Sequence, residues 1–147
     1  MTISNIDRFD TTVVLALAEL YSSFPVRQDL LASAFILTEE GEHIEGILEQ
    51  DERYLGPEDL YHKRKEFAFY SLHWLLEAGY MHGSPYRQDA IEDAVLTAKG
   101  LEVLKATPDS LQGTLGERLQ EVAKNGAGAA ASALVGKMVG LGLNLLG

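Results

Sequence analysis

The 147-residue chain contains no cysteine, which excludes disulfide staples, thiolate nucleophiles and cysteine-ligated zinc or iron–sulfur centres. Basic residues are few, 12 against 22 acidic ones, and the formal charge of −10 argues against indiscriminate binding to phosphate backbones. Also missing are a Gly-x-Ser-x-Gly elbow, a glycine-rich phosphate loop and a His-Glu-x-x-His zinc motif. His43, His62, His73 and His82 are scattered, so their ordinary reading is as surface or half-buried imidazoles and not as a metal cluster. No metal, cofactor or small-molecule substrate is expected, and no catalysis. The opening residues "MTISNIDRFD" carry neither a basic leader nor an apolar run, so a secretory signal is not expected and the body is read as cytoplasmic.

What is present is 46% apolar residues, enough for one core in a chain of this length and too little for two ordinary domains. The acidity is local. Residues 38–59, "TEEGEHIEGILEQDERYLGPED", hold nine Asp or Glu and one Arg, leaving the other 125 residues at about −2. The plain reading is a solvated acidic insert. A calcium loop would need alternating Asp or Asn with a glycine and a terminal Glu, a pattern this stretch lacks. Paired carboxylates here could run acid–base chemistry only beside an apolar pocket, which nothing around them suggests.

Apolar residues at spacings of three and four, Val13, Val14, Leu17, Leu20 and Tyr21, predict a first helix from about Phe9 to Ser23, capped by Asp10 or Thr11 and ended by Pro25. "VRQDLLASAFI" offers Leu30, Leu31, Ala34 and Phe35 to a short helix, or to a helix plus a strand. Pro57 opens a third helix over about 58–78, which Gly79 closes. "YMHG", "SPYRQ" and "AIEDAVLT" read as two strands over 80–97 around a turn rich in Gly, Ser and Pro, running into the helix "AKGLEVLKATP".

The pairing of "WLLEAGYM" with "AVLTAKGLEVLKATP" resembles the end of a winged helix-turn-helix domain. In that superfamily the third helix feeds a hairpin wing, and a Leu-Thr-x-Lys-Gly-like step opens the closing helix. The resemblance covers about residues 9–108. It implies a mainly α fold with a small β-hairpin wing and a DNA-binding ancestry, although many winged helices bind proteins instead. The expected organisation is a winged-helix-like domain over 1–110 with the acidic insert at 38–59, followed by a C-terminal helix over 111–147.

On the third helix Leu60, Phe67, Leu72, Leu75 and Leu76 point toward a core, and Trp74 is expected to join it. Lys63, Glu66, Tyr70, His73 and Glu77 form a stripe at three- and four-residue steps, the candidate recognition face. Base readers favour Arg, Lys, Asn and Gln, whereas two stripe positions are Glu. Lys63, Arg64 and Lys65, with Arg87 in the wing, are the candidate phosphate contacts, a thin cationic footprint.

Residues 126–147, "GAGAAASALVGKMVGLGLNLLG", hold a single charge, Lys137. As a helix they would reach about 33 Å, so length alone permits a membrane span, but Lys137 near the middle opposes it by about 2.5–3.5 kcal/mol. Gly128, Ser132, Gly136 and Gly140 recur at four-residue intervals and suggest a close-packing groove, with Leu134, Met138, Leu141 and Leu145 as a ridge on another face. Three uses remain open for this helix: folding over its own domain, packing on another chain, or membrane association. The function expected is a non-catalytic winged-helix module that self-associates or docks on a protein partner through this helix. The alternatives are a DNA-binding transcriptional regulator using the 58–78 helix and the 80–97 wing, and a membrane-associated protein anchored through residues 126–147.

Overall fold

A computed structural model describes residues 3–43, 60–108, 112–125 and 128–146. Most of the acidic insert, Pro57 at the expected helix start and the surroundings of Gly128 lie outside the described residues. The described part is mainly helical with one small antiparallel sheet. In chain order it comprises α1 (Asn5–Ser23), β1 (Gln28–Leu31), a 3-10 turn (Ala32–Phe35), α2 (Leu60–Glu77), β2 (Met81–Tyr86), β3 (Ala90–Leu96), α3 (Ala98–Lys105), α4 (Leu115–Lys124) and α5 (Gly128–Leu146).

α1 starts one turn earlier than the pattern suggests. Ser4 is its N-cap, the side chain accepting from the Asp7 amide at 3.1 Å, and Asp10 and Thr11 are buried within the helix. Val13, Val14, Leu17 and Leu20 are buried as their spacing predicts, but so are Leu15, Ala16 and Ala18. A helix apolar on all sides lies in the middle of a fold. α2 and the sheet cover one side of α1, and α4 and α5 cover others. One continuous core therefore runs from Leu72, Leu75 and Ile91 through α1 to Leu115, Leu119, Ala131 and Met138.

The stretch after Pro25 forms a strand and then a 3-10 turn. Leu30 and Phe35 are buried, whereas Leu31 and Ala34, expected on the same apolar face, are exposed. The strand places successive side chains on opposite faces, which separates Leu30 from Leu31. β1 pairs with β3, and β3 with β2, giving the order β1-β3-β2.

The hairpin turn also differs from expectation. Gly83, Ser84 and Pro85 lie inside β2, and the turn is Tyr86–Asp89, closed by the Asp89 amide on the Tyr86 carbonyl at 3.1 Å, with Arg87 at φ 52°. β2 is an edge strand, so the missing N–H of Pro85 interrupts no inner ladder. Gly83 sits at the register shift between β2 and β3, where a Cβ would fall 2.6 Å from the Ile91 methyl and 3.1 Å from the Glu92 carbonyl oxygen.

Of the residues assigned to the buried side of α2, Leu72 and Leu75 are buried, while Leu60, Phe67 and Leu76 are only half-buried. Tyr61, Ala68, Phe69 and Ser71 complete the buried side. Trp74 is not a core residue. It is 37% exposed, with its ring edge-on to Phe9 of α1 at 5.2 Å and stacked on Tyr80 at 6.1 Å. Its neighbour Leu75 is buried, but at 100° per residue Trp74 points away from Leu75 toward the rim where α2 meets α1.

Candidate interaction surfaces on α2 and α5

The short stretch "LTAKG" is a clamp on the end of α2. Thr97 caps α3 by accepting from the Gly100 amide at 3.0 Å, and its hydroxyl donates to the Gly79 carbonyl. Lys99 donates from Nζ to the Ala78 carbonyl at 2.8 Å and lies over the Tyr80 ring, 4.5 Å from its centroid. At Gly100 the place a Cβ would take is occupied by the Tyr80 carbonyl. A helix leaves its last carbonyls without internal partners; here the Tyr80 and Gly79 amides meet those of Leu75 and Leu76, and Lys99 and Thr97 supply donors to Ala78 and Gly79 just beyond. Gly79 itself takes φ 84°, which closes α2 as a left-handed glycine does.

This clamp fixes the direction of α2 relative to the hairpin and so builds the first candidate surface. Lys63, Glu66, Tyr70 and Glu77 are exposed and His73 is half-exposed, so the stripe lies on one outer face. His73 Nδ1 meets Glu77 Oε1 at 2.9 Å along the helix, and Gln88 of the hairpin turn donates to the Tyr70 hydroxyl at 2.8 Å. Between α2 and the turn is a cleft of about 410 Å³ lined by His62, Lys65, Glu66, Arg87, Gln88 and Asp89.

Two of the four cations of this surface are matched by carboxylates. Lys65 pairs with Asp89 at 2.8 Å and Arg64 with Glu39 at 3.3 Å. The Lys65 ammonium, by its hydrogen bond and then its charge, holds the Asp89 carboxyl below the usual carboxylate range. Arg87 lies over the Tyr86 ring at 5.2 Å. Of the four candidate phosphate contacts, Lys63 and Arg87 are exposed, and Arg64 and Lys65 are half-buried beside their acidic partners.

The second surface is α5. Its inner side packs on α1, α3 and α4 through Ala131, Leu134, Val135 and Met138, which are buried, and Leu141, which is half-buried. Tyr80 reaches across to donate to the Met138 carbonyl at 3.4 Å, and burial pushes its phenol pKa up. Leu145, expected on the same ridge, is 53% exposed. Leu143 stands out further, at 63%.

The four-residue stripe does not form one groove. Four residues turn a helix by 400°, so each step moves 40° around the axis. Ser132 is turned toward α1, where its hydroxyl donates to Asp7 Oδ1 at 3.1 Å. Gly136 and Gly140 are exposed and have open space where a Cβ would stand. Gly142, outside the stripe, is the glycine in close contact, buried against the Tyr80 hydroxyl and Lys99. No helix among the described residues is long and apolar enough to cross a membrane.

The two buried charged residues of α1 escaped the sequence pattern. Arg8 donates to the Thr38 carbonyl at 3.0 Å and the Glu39 carbonyl at 3.2 Å, tying the start of the acidic insert to the core. Asp10 is buried beside Ser132. Both precede the apolar run that begins at Val13; Asp10 stands three and four residues before Val13 and Val14, the one signal that could have marked it as inward-facing. The four histidines lie apart: His43 meets the Ala34 carbonyl at 2.7 Å, His62 and His73 are on α2, and His82 is on β2. The chain matches no protein-family model, no curated protein and no solved structure.

Proposed function

We propose that the protein is a non-catalytic winged-helix interaction module whose C-terminal helix both completes the fold and presents its outer side to a second copy of the chain. The winged-helix reading is supported by the sheet order β1-β3-β2 and by the position of α2 immediately before the β2–β3 hairpin. The observation that carries the assembly reading is the outer side of α5. A Cβ added at Gly136 or Gly140 would meet nothing within 4 Å, and Leu143 beside them is 63% exposed. Glycines cost a helix about 1 kcal/mol each relative to alanine, and at these two the subunit's own packing leaves room for a side chain. Residues 126–147 contain no Asp or Glu, so two copies of an otherwise acidic chain meet least repulsion there. Bare backbone at Gly136 and Gly140 lets a facing helix approach closely, with Leu143 as the flanking apolar contact.

Sedimentation equilibrium tests this reading. The wild type should show a concentration-dependent mass above that of one chain, and Gly136→Leu should return it to one chain without unfolding it. A wild type that stays a single chain throughout would remove the reading.

DNA binding is the second reading, favoured by exposed Lys63 on α2 and exposed Arg87 in the hairpin turn. It ranks lower because Arg64 and Lys65 already have carboxylate partners, and Glu66 and Glu77 lie on the same face.

A further inference from the structure

α1 is the central helix, and its cover is thinnest along one line. Among its buried apolar residues Leu15 and Ala18 alone keep more than 1% exposure, 9% and 8%. One turn apart, they share a side of the helix. With Phe35 of the 3-10 turn and Ala123 of α4 they form the apolar lining of a cleft of about 470 Å³. Its walls are braced by hydrogen bonds between elements. Gln120 of α4 donates to Ser22 of α1 at 2.7 Å, and Gln28 of β1 donates to the Glu19 carbonyl at 3.3 Å and to Ser23 at 2.7 Å. His43 Nε2 meets the Ala34 carbonyl at 2.7 Å, and since a carbonyl only accepts, that nitrogen carries the hydrogen.

We propose that this cleft binds a small amphipathic organic anion, a carboxylate with a hydrocarbon body. The body lies on Leu15, Ala18, Phe35 and Ala123, and the carboxylate meets the Lys124 ammonium. Lys124 lines the same cleft, and among the described residues it has no carboxylate partner. The acids of its own helix are committed: Glu121 pairs with Arg118 at 3.1 Å, and Glu117 closes the capping box with Thr114. Glu19, the one acid of the lining, has an interaction of its own. The charge that the cleft leaves unmatched is therefore positive, and it stands beside an apolar lining. Charge complementarity selects an anion over a cation, and the lining selects one with an apolar body. Clefts of about 300–1,000 Å³ that combine apolar walls with a few polar groups are the usual form of small-molecule sites.

Because Gln120, Gln28 and His43 hold the walls before any ligand arrives, binding requires little further ordering of the protein. No sequence motif marks the site, since its lining comes from α1, residues 28–43 and α4, which only folding brings together. It contains no residue of α2 or α5. Occupancy of the cleft is thus independent of self-association through Gly136 and Gly140.

Titration of the full-length protein with sodium decanoate below its micelle concentration, followed by amide NMR shifts, tests the proposal. Decanoate should give saturable shifts centred on Leu15, Ala18, Ala34, Ala123 and Lys124. Acetate has the head without the body and decyltrimethylammonium the body with the opposite charge, so each should bind at least about tenfold more weakly. Lys124→Gln should weaken decanoate binding by about three- to tenfold. Ala123→Leu fills the cleft and should abolish the saturable shifts; Ala34→Leu, at an exposed position of the lining, blocks it from the 3-10 turn should Ala123→Leu fail to fold. Gly136→Leu should leave decanoate affinity unchanged. Shifts that do not saturate or that centre elsewhere, acetate or decyltrimethylammonium bound as tightly as decanoate, or decanoate affinity unchanged by Lys124→Gln or by a folded filling variant would each overturn the site.

Discussion

The Lys99 ammonium lies 4.5 Å from the centre of the Tyr80 ring while it donates to the Ala78 carbonyl at 2.8 Å, joining the start of α3 to the end of α2. Thr97 and Gly100 complete the junction from either side of Lys99. Removing the Thr97 hydroxyl takes away an N-cap and a donor to Gly79 together. Thr97→Ala should therefore cost about 1–2 kcal/mol in urea unfolding, and Thr97→Ser much less. Gly100→Ala gains helix propensity but drives a methyl into the Tyr80 backbone, so it should be destabilising by about 1–3 kcal/mol despite that gain. A Gly100→Ala variant as stable as wild type would contradict the close approach.

Glycines of α5 should respond in opposite directions. At Gly140 a methyl enters open space, and Gly140→Ala should stabilise the subunit by about 1 kcal/mol. At Gly142 the methyl would meet the Tyr80 hydroxyl, the Tyr80 ring carbon Cζ at 3.0 Å and Lys99 Cε at 3.2 Å, so Gly142→Ala should lower the urea midpoint. Equal effects at the two positions would mean that α5 does not dock as described.

Asp89 should titrate below an ordinary aspartate, and Lys65→Met should bring it back to the usual range, read by carboxyl-carbon NMR. Because its pKa is depressed, the pair contributes above the unfolded value of 3.8, and that contribution is lost as pH falls through the lower folded value. The group is exposed, so the effect on global stability should be small.

Random duplex DNA should bind weakly at physiological salt in fluorescence anisotropy. Asp89→Asn, which removes the carboxylate facing Lys65, should strengthen binding, and Lys63→Ala or Arg87→Ala should weaken it and flatten the salt dependence. Submicromolar wild-type affinity with a steep salt slope would promote the DNA reading over assembly.

Trp74 should be accessible to acrylamide in the native protein, since it is 37% exposed. Tyr80→Leu, which removes the stacked ring, should increase that quenching further. Native emission shielded from the quencher would place Trp74 in the core after all.

Much of the local structure was legible in the chain because local rules suffice for it. The three- and four-residue spacing of Val13, Val14, Leu17 and Leu20 marks a helix, Gly79 marks the end of α2, and Thr97 marks the start of α3. The outward stripe of α2 from Lys63 to Glu77 follows from the same periodicity. Cysteine content and net charge, properties of composition alone, bound the chemistry. Only the tertiary structure decided how these pieces cover one another. α1 is buried on all sides because α4 and α5 return to it from more than ninety residues away, a distance no local pattern encodes. That return turns Ser132 inward to Asp7, leaves Gly136 and Gly140 outside, and gives the close contact to Gly142, although all four are small residues on one helix. Pro85 and Gly83 read as turn residues until β2 is known to be the sheet edge, and Trp74 reads as core until Phe9 and Tyr80 are seen to hold it at the rim. Periodicity states which residues share a face; which face is covered depends on the partners that folding brings to it.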